Sequence, residues 1–302
     1  MADERDADTH LNLPLGISLT IGEIGLMIVI SALVKLVGAD IHTLTVLLFR
    51  YAACLPLLVM TALWQRGRHA LQISRYRTLA IRTAAGLTSL GCFYAALDLM
   101  PLSKAMVLFQ TLTLFVTLLA PLILAERVGW RRWTAVAIGF LGTMIVLKPD
   151  AEGWTAAGVM FGLCEPLFGA IMLIALRRLG HHDSALSTSV WYNSIGTITF
   201  AGLVAVQGLA LPTAASDLMI LVALGVLSSF QQFFMAFSHR VAPATVLAPF
   251  RYLAIPMGIV AGILFFGEML TLEITIGSAI IIASSIFILR RERQLREAGT
   301  DS

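Results

Sequence analysis

The sequence predicts an all-α integral membrane protein of ten transmembrane helices, built as two inverted five-helix repeats. Three observations predict it: apolar segments recur from one end of the chain to the other, charge is scarce, and a single shift of 142 residues lays the first half of the chain on the second.

Of the 302 residues, 58% are hydrophobic and 13% charged, too few charges to clothe a water-soluble domain. A hydrocarbon core of roughly 30 Å takes about 20 helical residues. Segments of that kind fall at 15–37, 42–64, 79–97, 101–124, 132–148, 154–176, 185–208, 216–238, 243–266 and 271–290. The connectors between them are too short to hold a soluble domain. The expected organisation is a cytoplasmic tail over 1–14, a first repeat over 15–148, a second over 154–290, and a basic cytoplasmic tail over 291–302. Residues 1–10 are polar and acidic, unlike a cleavable signal peptide, which begins basic and then turns apolar.

Orientation follows from basic residues. Fifteen arginines, among them Arg66, Arg75, Arg77, Arg131, Arg132 and the run from Arg290 to Arg296, fall in the termini and connectors of one side. The other side holds only Lys35, Lys104 and Lys148. The positive-inside rule then puts both termini in the cytoplasm of an inner-membrane protein, as an even number of spans also requires.

Under the 142-residue shift Gly16 meets Gly158, Glu23 meets Glu165, Lys35 meets Arg177, Gly38 meets Gly180, Pro101 meets Pro243 and Glu126 meets Glu268. One gapless offset keeps every span in phase. Five spans per half is an odd number, so the second half is inverted relative to the first. Inverted repeats of this kind belong to carriers that bind near the bilayer midplane, between the halves.

Cys54, Cys92 and Cys164 lie inside apolar spans at no metal-like spacing and read as small buried hydrophobes. His10, His42, His69, His181, His182 and His239 sit in tails, connectors or span edges. No metal site, cofactor, nucleotide phosphate loop or catalytic constellation is expected, so the chain does not read as an enzyme. The expected partners are a small-molecule substrate and the lipid bilayer, not nucleic acid.

A charge at the bilayer centre costs at least about 2.5 kcal/mol, so each one needs a reason. Glu23, Arg50, Glu165 and Arg251 lie roughly 12–16 Å into their spans at 1.5 Å per residue. They fit either two buried ion pairs that fix packing or a site offering both charge signs to a zwitterion. In the second case an arginine clasps a carboxylate and a glutamate faces an ammonium group or carries a coupling proton. Tyr252 beside Arg251, and Trp191 with Tyr192, supply aromatic faces at similar depth; Tyr94, Gln110, Gln231 and Gln232 are weaker candidates. Glu126 and Glu268, at span ends, suit capping or an Arg contact. Pro166 follows Glu165 directly and can free a backbone carbonyl there.

The stretches FYAALDLMPLSKAMVLFQTLTLFVTLLAPLILAERVGWRRWTAVAIGFLGTMIVL (93–147) and FSHRVAPATVLAPFRYLAIPMGIVAGILFFGEMLTLEITIGSAIII (within 234–290) resemble the two EamA units of the drug/metabolite transporter superfamily. IHTLTVLLFRY (41–51) and APFRYL (248–253) are similar to a subgroup that contains S-adenosylmethionine uptake carriers. The resemblance implies ten helices, an inner-membrane location and secondary transport. Glu23, within GEIGLM, has no counterpart in the family's motifs. The first expectation for function is export of amino acids or amino-acid-derived compounds, metallophores included. Uptake of S-adenosylmethionine or riboflavin is the alternative within transport, and a non-transporting scaffold or lipid-flippase partner the alternative outside it.

Overall fold

The structure, a computed structural model, describes residues 12–38, 40–67, 71–124, 129–147, 155–180 and 183–300. Glu126, Arg127, His181 and His182 lie outside them, as do Arg5, His10, Arg68, His69 and Lys148. Every regular element among the described residues is an α-helix: α1 (Leu13–Val37), α2 (Thr43–Arg66), α3 (Tyr76–Leu99), α4 (Leu102–Phe109), α5 (Leu112–Leu124), α6 (Trp130–Val146), α7 (Ala156–Gly180), α8 (Ala185–Val206), α9 (Ala215–Val241), α10 (Ala244–Arg251), α11 (Ala254–Phe266) and α12 (Leu272–Thr300).

Local chemistry sets the boundaries. The Asn12 side chain accepts a hydrogen bond from Leu15 N at 3.0 Å and caps α1. His42 Nδ1 accepts one from Leu44 N at 3.2 Å at the start of α2. Pro101 and Pro243 each stand as the N-cap of the next helix, where a missing N–H costs nothing and the preceding helix cannot continue. Two further breaks follow, at Gln110-Thr111 between α4 and α5 and at Tyr252-Leu253 between α10 and α11.

The offset seen in the sequence recurs in the elements: α4 and α10, α5 and α11, and the starts of α6 and α12 all stand 142 residues apart. Packing is reciprocal in the same sense. Helix α1 runs along α9 and α3 along α7, while α2 meets α8 and α6 meets α12. Exchanging the halves therefore exchanges or preserves these contacts, and the halves interlock rather than stand side by side. The α6–α12 contact is backbone-close. A Cβ on Gly142 would fall 3.0 Å from the Gly277 carbonyl oxygen, and one on Gly277 would fall 2.7 Å from that of Gly142.

Among the described residues, with α4–α5 and α10–α11 each taken as one interrupted helix, eight stretches are long and apolar enough to cross a bilayer on that count alone. Helix α6, with 17 residues, and α3, whose apolar run is diluted by Arg82, are not among them. The core is apolar, with Ile24, Leu47, Leu97, Leu102, Met106 and Leu108 buried. Trp64, Leu122, Val206 and Met269 are among the bulky side chains left exposed, the surface that lipid covers.

Lys104 lies inside α4, buried, within the span expected at 101–124, because the α3–α4 connector is only Met100-Pro101. Lys35, at the end of α1, donates to the Leu97 and Met100 carbonyls at 3.0 and 2.6 Å, filling acceptors left open where α3 ends.

Candidate functional site

The intramembrane residues singled out in the sequence separate into three centres. The first joins the halves. Glu23, on α1 and 2% exposed, lies with Oε1 3.3 Å from Arg251 Nη2 at the end of α10; the Arg251 side chain is 33% exposed. The two helix breaks meet here. Gln110 Nε2 donates to the Arg251 carbonyl at 2.8 Å, and the Tyr252 hydroxyl shares a hydrogen bond with Thr113 Oγ1 at 2.9 Å. A broken helix exposes unused carbonyls, and Gln110 satisfies one of them.

The second centre lies between α2, α3 and α8. Arg50 is 9% exposed, and its guanidinium carbon lies 5.5 Å from the Tyr51 ring centroid and 5.9 Å from that of Tyr94. The Tyr51 and Tyr192 hydroxyls are 2.8 Å apart. Beyond Tyr192 stands Arg82, its guanidinium carbon 4.1 Å from that ring, with Nη1 donating to the Thr188 carbonyl at 3.5 Å. The cluster thus alternates Arg50, Tyr51, Tyr192 and Arg82. Among the described residues no carboxylate pairs with either guanidinium; the Nε atoms of Arg50 and Arg82 and the Tyr94 hydroxyl are buried without hydrogen-bond partners. Donors orphaned in this way are costly, and several in one place mark where an acceptor-rich group fits.

The third centre is Glu165 on α7, which meets Ser89 of α3. Trp191 is placed apart from all three: it is 36% exposed, and its Nε1 donates at 2.9 Å to the Leu71 carbonyl in the α2–α3 connector.

The structure pairs Glu23 with Arg251, and among the described residues neither Glu165 nor Arg50 stands in an ion pair. Residues equivalent under the offset differ in identity around them, since Tyr192 stands where Arg50 does and Phe109 where Arg251 does. Arg82 and Tyr51 went unremarked in the sequence. Arg82 lies only about 4.5 Å into the span expected at 79–97, too shallow for the depth rule that picked out Arg50. Glu268 caps α4, accepting from Ser103 N at 2.9 Å and Ser103 Oγ at 2.7 Å. Gln232 meets Asn193 at 3.4 Å, near Cys54. Among the described residues no three His, Cys, Asp or Glu side chains gather as a metal site.

Residues 15–148 and 156–290 each match the EamA-like transporter family. The chain belongs to that family. Likenesses to individual proteins go further. A riboflavin transporter of Rhizobium johnstonii is 34% identical over 218 residues, covering 72% of this chain and 70% of that protein. An S-adenosylmethionine uptake transporter of Rickettsia prowazekii is 26% identical over 268 residues, 89% of this chain and 90% of its own. A pseudopaline exporter of Pseudomonas aeruginosa is 26% identical over 267 residues, 88% and 92% of the two chains. A solved crystal structure superposes with a TM-score of 0.61 at 13% identity, over 89% of this chain and 96% of that one, a likeness of fold. This EamA protein is a multi-pass membrane transporter of small metabolites.

Proposed function

We propose that the transported metabolite is a planar heteroaromatic compound of the riboflavin kind, bound at the Arg50–Arg82 cluster. One observation carries this reading: Arg50 is buried among Tyr51, Tyr94 and Tyr192 with its Nε unused and no carboxylate beside it. Tyrosine faces stack on a flat ring, and guanidinium donors suit ring carbonyls and ring nitrogens. A sulfonium cation such as S-adenosylmethionine meets like charge from two arginines there. The riboflavin transporters of Rhizobium johnstonii and Vibrio cholerae, 34% and 32% identical to this chain, support the same choice.

Proteoliposomes offered labelled riboflavin, S-adenosylmethionine and leucine in parallel test it. Riboflavin is expected to accumulate and to be displaced by unlabelled riboflavin. Uptake of S-adenosylmethionine or leucine without riboflavin overturns the reading.

A second reading, export of amino-acid-derived compounds, draws on the Glu23–Arg251 pair, which offers both charge signs with Arg251 partly exposed. The likeness to the pseudopaline exporter supports it, and leucine efflux from loaded vesicles tests it. For either substrate we place the chain in the inner membrane with both termini cytoplasmic, supported by the arginine asymmetry. An alkaline phosphatase fusion after Ser302 is then inactive, and an active fusion rejects the orientation.

A further inference from the structure

Glu23 and Glu165 hold the same place in the two repeats, yet among the described residues only Glu23 has a counter-charge. Glu165 is 3% exposed, and among the described residues no cation lies within ion-pair distance of it. Its Oε2 is buried without a hydrogen-bond partner. The neighbour of its Oε1 is Ser89 Oγ, 3.4 Å away, but that hydroxyl also lies 3.0 Å from the Glu165 main-chain oxygen. A serine has one hydroxyl proton, and the nearer of its two acceptors is the Glu165 main-chain carbonyl. An ionised carboxylate would therefore sit in the membrane interior without a donor or a cation. A protonated one completes the arrangement: its O–H donates to Ser89 Oγ, and Ser89 donates to the Glu165 carbonyl.

The surroundings point the same way. Helix α3 presents Ser89 and the Cys92 thiol, and α7 itself presents Cys164. Arg82, two turns along α3 from Ser89, is engaged with Tyr192. Helix α5, Leu112–Leu124, has no ionisable residue, and its Leu112 approaches α7 at Gly169. On α4 the single ionisable group is Lys104, whose Nζ makes no ion pair with Glu165. Glu23 differs on the decisive point, because Arg251 at 3.3 Å neutralises it as a carboxylate.

We propose that Glu165 is a proton-binding site of the transporter, separate from the Arg50 cluster, and that its repeat equivalent Glu23 is not. The step is a plain exchange in which the carboxylate takes a proton from water to give the carboxylic acid and returns it to water. It does not depend on which metabolite is carried.

Infrared difference spectroscopy of the full chain reconstituted in lipid reads it directly. At pH 7 the wild type is expected to show a protonated-carboxyl carbonyl band that is lost in Glu165→Gln, kept in Glu23→Gln, shifted in heavy water, and reversibly lost as the pH is raised. Ser89→Ala, which removes the hydrogen-bond partner while leaving the acid, shifts the band and stands in should Glu165→Gln fold poorly. A wild type without the band, a band unmoved by both Glu165→Gln and Ser89→Ala, or one lost in Glu23→Gln overturns the proposal. Riboflavin transport in the same vesicles reports separately on the substrate reading.

Discussion

Arg50 and Arg251 are both arginines inside the membrane, and the protein treats them differently. Arg251 faces a carboxylate from the other half and is partly exposed; Arg50 is more deeply buried, faces tyrosines, and leaves its Nε unused. An isolated charge in the interior is costly, so a pair such as Glu23–Arg251 accounts for its own presence, whereas Arg50 does not. The difference separates an ion pair that joins two halves from a guanidinium that, among the described residues, has no carboxylate beside it.

The largest expected effect lies on the paired side. Arg251→Gln leaves Glu23 buried without its cation. Breaking a buried pair costs about 3–5 kcal/mol, and the partial exposure of Arg251 sets the expectation near the low end. Thermal unfolding in detergent should show the loss, and Glu23→Gln combined with Arg251→Gln should recover most of it. A single Arg251→Gln variant as stable as the wild type breaks the comparison, because Arg251 would then resemble Arg50.

A smaller effect is expected at Glu268, the carboxylate that caps α4 from the other half. Glu268→Ala removes these bonds and is expected to cost about 1–2 kcal/mol, seen as a lower unfolding temperature. It sharpens the comparison by measuring what an inter-half contact is worth when no buried ion is orphaned. Smaller again is Tyr192→Phe, which removes the hydroxyl contact with Tyr51 but keeps the ring beneath Arg82. About 1 kcal/mol of stability is the expected loss, from the same melting curves.

Much of the fold was legible in the sequence because its determinants are local or periodic. Pro101 and Pro243 stop helices wherever they stand, and an offset of 142 residues survives drift in the residues between. The ionisable residues of the site were legible for a related reason, since the cost of a charge in lipid depends on depth and depth follows from counting residues. Partners were not legible. Whether Glu165 meets Arg50 or Ser89 depends on how α7 is turned against α3, and the sequence carries no measure of that rotation. Trp191 was grouped with the site by depth, and its indole instead reaches the α2–α3 connector.

The central claim is that the Arg50 cluster binds the metabolite while the Arg251 pair holds the halves together. Flavin fluorescence titration of purified protein tests it most directly, comparing wild type with Arg50→Gln at equal folded concentration. A hydrogen bond to a charged group is worth about 1.5–3 kcal/mol, roughly a ten- to 150-fold change in affinity. Arg50→Gln is therefore predicted to keep its melting temperature and weaken riboflavin binding at least tenfold. Riboflavin binding unchanged in Arg50→Gln, or absent from the wild type, would contradict the account.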